Sequence, residues 1–468
     1  MSRRIHAFSV PFKKRFPPYS FFSVALFFLW LPYFVLCFPG NVSWDAGTSI
    51  MYVLNLETSK SALNNPYFQN WLFGGFAALG RLLGSIRSGI FLYCLLQYVL
   101  ECIILGKIVF FLRNTWKVKW YFILFLMLLY GFLPVFPIFA VSMGKDSNWG
   151  LSLLFFVYYA FQIIDDPVGF FADRRKRICF SLTLIIIALL RNHAVFIALV
   201  GPWIFMLLRS NRKTGLYRVL VFPTVGAILV SSVVPAVCGI PSPQNKEDLS
   251  FPLQTTAVYV LQYPDDITDE ERAAIESVIP ADAFQEYSPG FADPLKSRSR
   301  FTDGNTAPFL KAWLRLMIRH PSVLLKGLYR AASGYFDPFR LTGIKPHVQL
   351  GFYISSAAKE KLQLVDLEPT RLEIVKKLDN RSLNTPVVGL FARIGLYSIL
   401  LLVSFVLSLR RREFLLCTVP LLLILAGCAL SPVNGYYRYS YPYIVVVPFV
   451  FTGLLARFGK KSLPASGK

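Results

Sequence analysis

Long and nearly uncharged apolar runs recur along this sequence and dominate its pattern. An α-helix rises 1.5 Å per residue, so about 20 apolar residues cross the roughly 30 Å hydrocarbon layer of a bilayer. The clearest runs are Phe16–Phe38, Ser88–Leu112, Trp120–Ala140, Trp149–Ile164, Val219–Cys238, Pro386–Leu409, Phe414–Ser431 and Pro442–Ala456. The pattern therefore predicts an all-α polytopic membrane protein.

Two further apolar segments decide the number of spans. Tyr67–Ile86 is interrupted by glycines and by Arg81, while Ile178–Leu208 is too long for one crossing and carries a polar triplet at its middle. Cytoplasmic loops of membrane proteins are enriched in Lys and Arg. The chain follows this rule best if the first segment lies flat in the membrane interface and the second forms two short helices that are joined by a hinge on the outer side of the membrane. We therefore predict about ten spans in the cell membrane, with both termini cytoplasmic.

One large polar stretch divides the predicted spans into two groups. Its pattern is mainly helical, and Thr268-Asp269-Glu270-Glu271 has the form of a capping box at a helix start. The predicted parts are an N-terminal membrane module (1–238) with seven spans, an extracytoplasmic domain (239–385), and a C-terminal membrane module (386–468) with three spans and a basic tail. We expect the outer loop 39–87 of the first module to contain an interfacial helix.

Composition agrees with this architecture. Of the 468 residues, 55% are hydrophobic and only 16% are charged, against about 25% charged in soluble domains. The net charge of +23 would by itself suggest a nucleic-acid partner. The predicted cytoplasmic loops and tail, however, hold nearly half of the 49 basic residues, so the charge indicates membrane orientation and no nucleic-acid partner is predicted.

Ionisable residues on the predicted outer side are few, which makes them candidates for chemistry. Asp45, in the first outer loop, is a candidate general base, although such an acid also suits a solvated membrane boundary. Asp146 is a second candidate carboxylate, and Lys145 beside it is suited to holding an anion. The alternative for Asp146 is that it only caps the next helix.

Further candidate ligands lie at two later positions. Arg191 and His193 occupy the predicted outer hinge, where Arg191 is suited to clamping a phosphate or to snorkelling at the interface. Arg438 lies among tyrosines, including Tyr437 and Tyr439, that suit either a lipid phosphate with a stacked sugar or an interfacial aromatic belt. Glu101, inside a predicted span, is an ionisable group that must be paired or hydrated there.

Motifs of soluble enzymes and of metal centres are missing from the sequence. There is no GxxxxGK[ST], HExxH or GxSxG sequence, and the four histidines are scattered along the chain. No metal site is predicted, and a role for a divalent cation is left open.

Taken together, the outer-side groups resemble those of the GT-C glycosyltransferases, which use polyprenyl-phosphate-linked sugars as donors. Among characterised types, the chain most resembles the protein mannosyltransferases and the lipid A aminoarabinose transferases. It resembles an uncharacterised group of bacterial multi-pass proteins more closely still. The resemblance rests on Asp45, Asn65-Pro66-Tyr67, Lys145-Asp146, Arg191-Asn192-His193, Arg438-Tyr439, Gln254-Thr255-Thr256-Ala257, Asp269–Pro280, Tyr287-Ser288-Pro289, Asp293-Pro294-Leu295-Lys296, Trp313 and His320-Pro321. The first loop departs from the family in having a single acid, which argues against a metal-assisted mechanism.

The resemblance implies inverting transfer of a sugar from an outward-facing lipid phosphate to a glycan or lipid acceptor in the cell envelope. Asp45 would be the base, Asp146 would orient Lys145 or share the acceptor contact, and Lys145, Arg191 and Arg438 would stabilise the departing phosphate. Two rivals stay open. An O-antigen-ligase-like or polymerase enzyme would use Arg191 and His193 and dispense with Asp45, and a transporter or flippase would need more ionisable groups along its spans.

Overall fold

The described part of the chain is mainly helical, as predicted. The computed structural model describes residues 19–56, 65–191, 200, 202–204, 216–237, 239, 249–340 and 345–458. His193 lies outside these residues. In the first part of the chain the helices are α1 (Ser20–Leu36), α2 (Trp44–Val53), α3 (Tyr67–Leu82), α4 (Ile86–Asn114), α5 (Trp120–Phe132), α6 (Val135–Ala140), α7 (Lys145–Asp165), α8 (Pro167–Ala172), α9 (Arg174–Leu190), α10 (Leu216–Ile228) and α11 (Val234–Val237).

The remaining helices follow in the second half of the chain. They are α12 (Ser250–Gln262), α13 (Asp269–Glu276), α14 (Asp293–Arg298), α15 (Thr306–Arg319), α16 (Pro321–Phe336), α17 (Ser356–Lys361), α18 (Pro369–Asn384), α19 (Pro386–Phe391), α20 (Ile394–Arg410), α21 (Leu415–Ala429), α22 (Tyr437–Ile444) and α23 (Val447–Phe458). Short 3₁₀ helices lie at Pro264–Asp266, Ala281–Glu286 and Arg412–Phe414, and a π-helical segment at Leu229–Val233 joins α10 to α11. The predicted capping box is present, with Thr268 and Glu271 bonded to each other's backbone.

Four helical stretches among the described residues are long and apolar enough to cross a membrane. They are Ile86–Asn114, Lys145–Asp165, Arg412–Ala429 and Tyr437–Phe458. The apolar helices α1, α5 and α20 are shorter, at 10–17 residues. These helices agree with the predicted location in a membrane, and the count of ten spans stays a prediction.

Two predicted spans are each interrupted by an extended residue, and for these the expectation of one continuous helix was wrong. Trp120–Ala140 divides into α5 and α6 at Leu133, whose backbone is extended because the ring of Pro134 disfavours helical geometry in the residue before it. Pro386–Leu409 divides into α19 and α20 at Arg393, which is also extended. There the backbone of Asp337 lies so close to Gly395 that a Cβ atom would clash.

A small parallel sheet joins three distant pieces of chain. Strand β1 (Asn41–Val42) pairs with β2 (Ser142–Met143), and Phe352 forms a parallel bridge to Val42 of β1. The amide of Gly351 donates to the side-chain oxygen of Asn41 at 2.8 Å. Because β1 leads into α2 and β2 leads into α7, this sheet brings the starts of those two helices together.

Contacts at the opposite end of the helices tie several basic chain segments together. The indole of Trp116 donates to Asp165 Oδ1 at 3.0 Å, and the guanidinium of Arg457 pairs with the same carboxylate. Trp116 also packs on Phe414, next to the basic turn between α20 and α21. Since α7 runs for 21 residues from Lys145 to Asp165, this end lies about 30 Å from the start of α7.

Candidate active site

Five charged side chains meet at the end of the helices where the small sheet lies. This charge cluster consists of Asp45, Lys145, Asp146, Arg191 and Arg438. Asp45 Oδ2 lies 3.2 Å from Lys145 Nζ and 2.6 Å from Arg438 Nη2. Asp146 Oδ2 lies 2.8 Å from Arg438 Nε, and Asp146 also pairs with Arg191. The structure thus brings together five of the residues predicted from the sequence.

Each member of the charge cluster lies at a helix terminus. Ser43 caps α2 by accepting a hydrogen bond from the amide of Ala46, which puts Asp45 in the first turn. Lys145 and Asp146 open α7, whose N-cap is Gly144, so Asp146 lies in the first turn of this helix and is not its N-cap residue. A carboxylate in a first turn is favoured by the partial positive charge of the helix N-terminus.

The two cations of the later chain segments are also set by local structure. Arg191 is the extended C-cap residue of α9, and the predicted hinge that follows it lies outside the described residues. Arg438 lies in the first turn of α22, behind a loop that is anchored by Asn434. The side chain of Asn434 accepts from the amide of Gly334 at 2.8 Å and donates to the carbonyl of Arg330 at 2.6 Å. Helix α16 therefore holds the loop that presents Arg438.

Gln97 in α4 supports the segment that leads to Lys145, a role that sequence reasoning missed. Its side-chain amide donates to the carbonyls of Phe139 and Ala140, both at 2.9 Å, and of Ser142 at 3.1 Å. The only signal in the sequence was a polar side chain inside an apolar run. Asn65 has a comparable role, since its oxygen lies 3.3 Å from Lys145 Nζ and its amide donates to the carbonyl of Asp45 at 3.2 Å.

The charge cluster carries more positive than negative charge. Three cations face two carboxylates, and all five side chains are at least partly buried, with Asp146 only 2% exposed. Burial alone would raise the pKa of Asp45, but Arg438 and Lys145 outweigh it and hold that pKa well below its usual range. Asp45 is therefore ionised at neutral pH, and one positive charge in the cluster is not balanced.

Several polar atoms of the charge cluster are poorly satisfied. Among the described residues, both oxygens of Asp146, Nε and Nη2 of Arg191, and Nε of Arg438 are buried without an aligned hydrogen-bond partner. Arg191 lies over the ring of Trp149 at 5.0 Å, and Arg438 lies over that of Tyr439 at 5.4 Å. Arg438 Nε and Arg191 Nη2 contact Asp146 as ion pairs without aligned hydrogen bonds, so an incoming anion that offers better-aligned acceptors would be favoured here.

A cleft that is partly open to solvent adjoins the charge cluster. It is lined by Asn41, Ser43, Ile138, Phe139, Ser142, Gly144, Asp146, Ser147, Pro346, His347, Gln349, Tyr436 and Arg438. His347 was not singled out from the sequence. Its Nδ1 lies 3.0 Å from both oxygens of Asp379, and its Nε2 lies 3.2 Å from the carbonyl of Ala392, so both ring nitrogens face acceptors.

The other predicted residues lie in different surroundings. The ring of Tyr439 lies beside Arg191 and Arg438. Tyr437 is buried against His347, with ring centroids 4.2 Å apart, and points away from solvent. Glu101 is fully buried and accepts a hydrogen bond from Tyr441 at 2.7 Å, so its described partner is a tyrosine and not a member of the charge cluster.

Asp45 and Asp146 do not present a ready metal site. Each carboxylate already contacts two side-chain cations. Among the residues that the structure describes, no group of three or more His, Cys, Asp or Glu side chains is arranged to hold a metal ion.

Comparisons with known proteins give one family and one distant structural likeness. The model of a family described as "Family of unknown function (DUF6020)" matches residues 52–462. None of the curated proteins compared with the chain matches it. The chain is also similar to the crystal structure of ArnT from Cupriavidus metallidurans bound to undecaprenyl phosphate, with 14% identity and a TM-score of 0.35, over 94% of this chain and 77% of that one. This likeness is too weak to assign a fold or a function.

Proposed function

This chain belongs to the DUF6020 family of unknown function, and we propose that it is a membrane glycosyltransferase of the GT-C type. It transfers a sugar from a polyprenyl-phosphate-linked donor to a glycan or lipid acceptor on the outer face of the membrane. The reaction inverts the configuration at the anomeric carbon and takes part in the assembly or modification of cell-envelope glycans.

The unbalanced positive charge of the cluster is the observation that carries this proposal. Three cations converge on two carboxylates in a partly buried site, and several of their donors lack aligned acceptors. A phosphodiester supplies one negative charge, which balances the excess positive charge, and two non-bridging oxygens, which accept hydrogen bonds from these donors. Arginine binds such groups through two parallel N–H donors, and fixed cations stabilise the charge that develops on a departing phosphate.

Asp45 is the proposed base, and donor binding prepares it. Within the cluster Arg438 and Lys145 hold the pKa of Asp45 well below its usual range, which makes the carboxylate a weak base. A donor phosphate that binds to Arg438 and Lys145 would weaken the electrostatic stabilisation that these cations give to ionised Asp45. The basicity of Asp45 would then return toward its normal value. The acceptor hydroxyl would then lose its proton to Asp45.

The bond changes in this step balance without a further reactant. The acceptor oxygen forms a bond to the anomeric carbon while the bond from that carbon to the phosphate oxygen breaks. The lipid phosphate leaves with the electron pair, stabilised by Arg191, Arg438 and Lys145, and Asp45 holds the acceptor proton. Asp146 is more deeply buried than Asp45 and contacts both arginines, so its proposed role is to orient them.

The proposed orientation puts the charge cluster outside and the opposite, basic end in the cytoplasm. The clustering of Arg457 and the basic turn before Phe414 near Trp116 supports this, since basic loops favour the cytoplasm. Single cysteines test it in a Cys179→Ser background, since Cys179 is an exposed cysteine. An impermeant thiol reagent should label Glu373→Cys from outside whole cells and Lys117→Cys only after lysis. The reverse pattern would overturn the orientation.

Gene deletion tests the proposed activity. We expect the deletion strain to lose or shorten one cell-surface glycan, as seen by mass spectrometry, and the wild-type gene to restore it. Asp45→Asn and Arg191→Ala should fail to restore it at equal protein level in the membrane. Arg371→Ala is the matched control, because this arginine forms an exposed pair with Glu368. Unchanged glycans after deletion, or full restoration by Asp45→Asn, would contradict the proposal.

A further inference from the structure

Gln349 and Tyr436 form a polar pair on the wall of the cleft, beside the charge cluster. The side-chain amide of Gln349 donates to the hydroxyl of Tyr436 at 2.8 Å. The Oε1 atom of Gln349 is buried and has no hydrogen-bond partner among the residues that the structure describes. A buried acceptor without a donor is unfavourable, so a ligand that donates a hydrogen bond to this atom would be favoured.

The pair offers one donor and one acceptor to the cleft. In the arrangement described, Gln349 Oε1 is the acceptor, and the hydroxyl of Tyr436 keeps its own proton to donate. If the amide is turned over, Tyr436 donates to Oε1, and the NH2 group of Gln349 becomes the donor that faces the cleft. Either arrangement complements a hydroxyl group, which both donates and accepts.

Both residues are held in place by contacts outside the pair. Gln349 lies between His347, which is anchored to Asp379 and Ala392, and Gly351, whose amide and carbonyl bond to Asn41 and Val42. Tyr436 is the N-cap of α22 and lies two residues before Arg438. A ligand whose phosphate contacts Arg438 therefore has its neighbouring group close to this pair, and the pair needs little reorganisation to bind it.

The charges around the cleft limit the kind of group that fits. Asp146 and Arg438, which border the cleft at the cluster, are already paired with each other at 2.8 Å. The two ring nitrogens of His347 face Asp379 and Ala392. The Gln349–Tyr436 pair is itself neutral, and the cations of the cluster are taken by Asp45, Asp146 and the donor phosphate. An ammonium or carboxylate group on the sugar would therefore lose its hydration without gaining a counter-ion at the pair.

We propose that Gln349 and Tyr436 are the residues that determine sugar specificity, and that they select a neutral, hydroxyl-bearing sugar over an amino sugar or a uronic acid. This inference rests on the proposed function, since it presumes that the donor phosphate binds to the charge cluster. It adds that the sugar binds in the cleft and that this pair forms hydrogen bonds with one hydroxyl group of the sugar.

Binding of three lipids to the full chain in nanodiscs tests the inference. The probes are undecaprenyl phosphate, undecaprenyl phosphate glucose and undecaprenyl phosphate galacturonic acid. For the wild type we expect the glucose lipid to bind more tightly than the galacturonic acid lipid. Gln349→Leu and Tyr436→Phe should each weaken binding of the glucose lipid about tenfold, the effect of one lost hydrogen bond, and leave binding of undecaprenyl phosphate unchanged.

Further variants separate a specific contact from damage to the site. Gln285→Leu makes the same substitution at an exposed position outside the cleft and should bind all three lipids like the wild type. The double variant Gln349→Leu/Tyr436→Phe should lose little more than either single variant, because the two residues act as one unit. Unchanged binding of the glucose lipid in Gln349→Leu, or tighter binding of the galacturonic acid lipid by the wild type, overturns the specificity inference alone. If the wild type binds none of the three lipids, the proposed function fails, and this inference fails with it.

Discussion

Arg438 Nη2 lies 2.6 Å from Asp45 Oδ2, although 393 residues separate the two along the chain. The same guanidinium reaches Asp146 with its Nε atom at 2.8 Å. One side chain from the last part of the protein thus contacts both carboxylates from its first part. The charge cluster exists only when α2, α7 and α22 are assembled, so the tertiary fold and the candidate site form together.

Replacing Arg438 tests the role of this side chain in phosphate binding. Arg438→Ala should weaken binding of undecaprenyl phosphate by about 10- to 100-fold, since a hydrogen bond to a charged group is worth about 1.5–3 kcal/mol. Arg438→Lys should recover part of this loss, because it keeps the charge but not the bidentate geometry. Lipid binding to the purified variants in nanodiscs measures both effects. Equal binding by Arg438→Ala and the wild type would exclude Arg438 from the phosphate site.

The two carboxylates are expected to differ when each is neutralised. Asp45→Asn should lower the rate of sugar transfer by at least about 100-fold, the usual contribution of a positioned base. Its affinity for undecaprenyl phosphate should stay the same or rise, because the cluster becomes more positive. Asp146→Asn should lower the Tm more than Asp45→Asn does, since Asp146 is only 2% exposed and is the partner of two largely buried arginines. Transfer assays, lipid binding and thermal unfolding together separate these roles, and weaker lipid binding by Asp45→Asn would contradict them.

The lowered pKa of Asp45 predicts a dependence of stability on pH. A carboxyl whose pKa is lower in the folded than in the unfolded chain stabilises the fold above the unfolded pKa, which is about 3.9 for Asp. That stabilisation is lost as the pH falls through this range toward the folded pKa. The Tm of the wild type should therefore exceed that of Asp45→Asn at pH 7, and the difference should shrink between about pH 5 and pH 3. For Asp366→Asn, a change in an exposed ion pair, we expect little difference at any pH.

The buried pair of His347 and Asp379 is expected to stabilise the wall of the cleft. Its side chains are 5% and 4% exposed, so His347→Leu leaves a carboxylate buried without its partner. We expect a loss of about 1–3 kcal/mol in the free energy of unfolding, the cost of a buried group that has lost its hydrogen-bond partner, seen as a lower Tm in detergent. The double variant His347→Leu/Asp379→Leu should recover much of this loss. His320→Leu is the control, since its pair with Asp266 is more exposed and should cost less.

Chelation tests whether side-chain cations replace a metal ion at the charge cluster. Asp45 and Asp146 each contact two cationic side chains, which are suited to stabilising a departing phosphate. We expect sugar transfer by the purified protein to continue unchanged in excess EDTA. A loss of activity that Mg²⁺ or Mn²⁺ restores would show that a divalent cation takes part.

The helices could be predicted from the sequence where local chemistry decides them. The capping box at Thr268 and Glu271 formed as its residue types require, and α9 ended just before the polar residue Arg191. The prediction was wrong where one proline or a distant contact intervened. Pro134 ended α5 inside a continuous apolar run, and the contact of Asp337 with Gly395 depends on a helix more than 50 residues earlier in the chain.

The candidate site was predictable only in part, for a related reason. Asp45, Lys145, Asp146, Arg191 and Arg438 stood out because charged residues are rare and costly beside apolar spans. Gln97, His347 and Gln349 carried no such signal, since amide and imidazole groups are common in ordinary packing, and Tyr436 was only one of several tyrosines around Arg438. Their roles became visible only through their partners, such as the three carbonyls around Gln97.

The sequence by itself determined the apolar helices, the rarity of charge between them and the identity of the five charged residues. These properties depend on hydrophobicity and helix geometry, which act over a few turns of chain. The tertiary structure alone decided that Asp45 meets Arg438, that one positive charge is left unbalanced, and that Gln349 faces a cleft next to it. Such contacts join residues hundreds of positions apart, and only the packing of the assembled helices sets the distances between them.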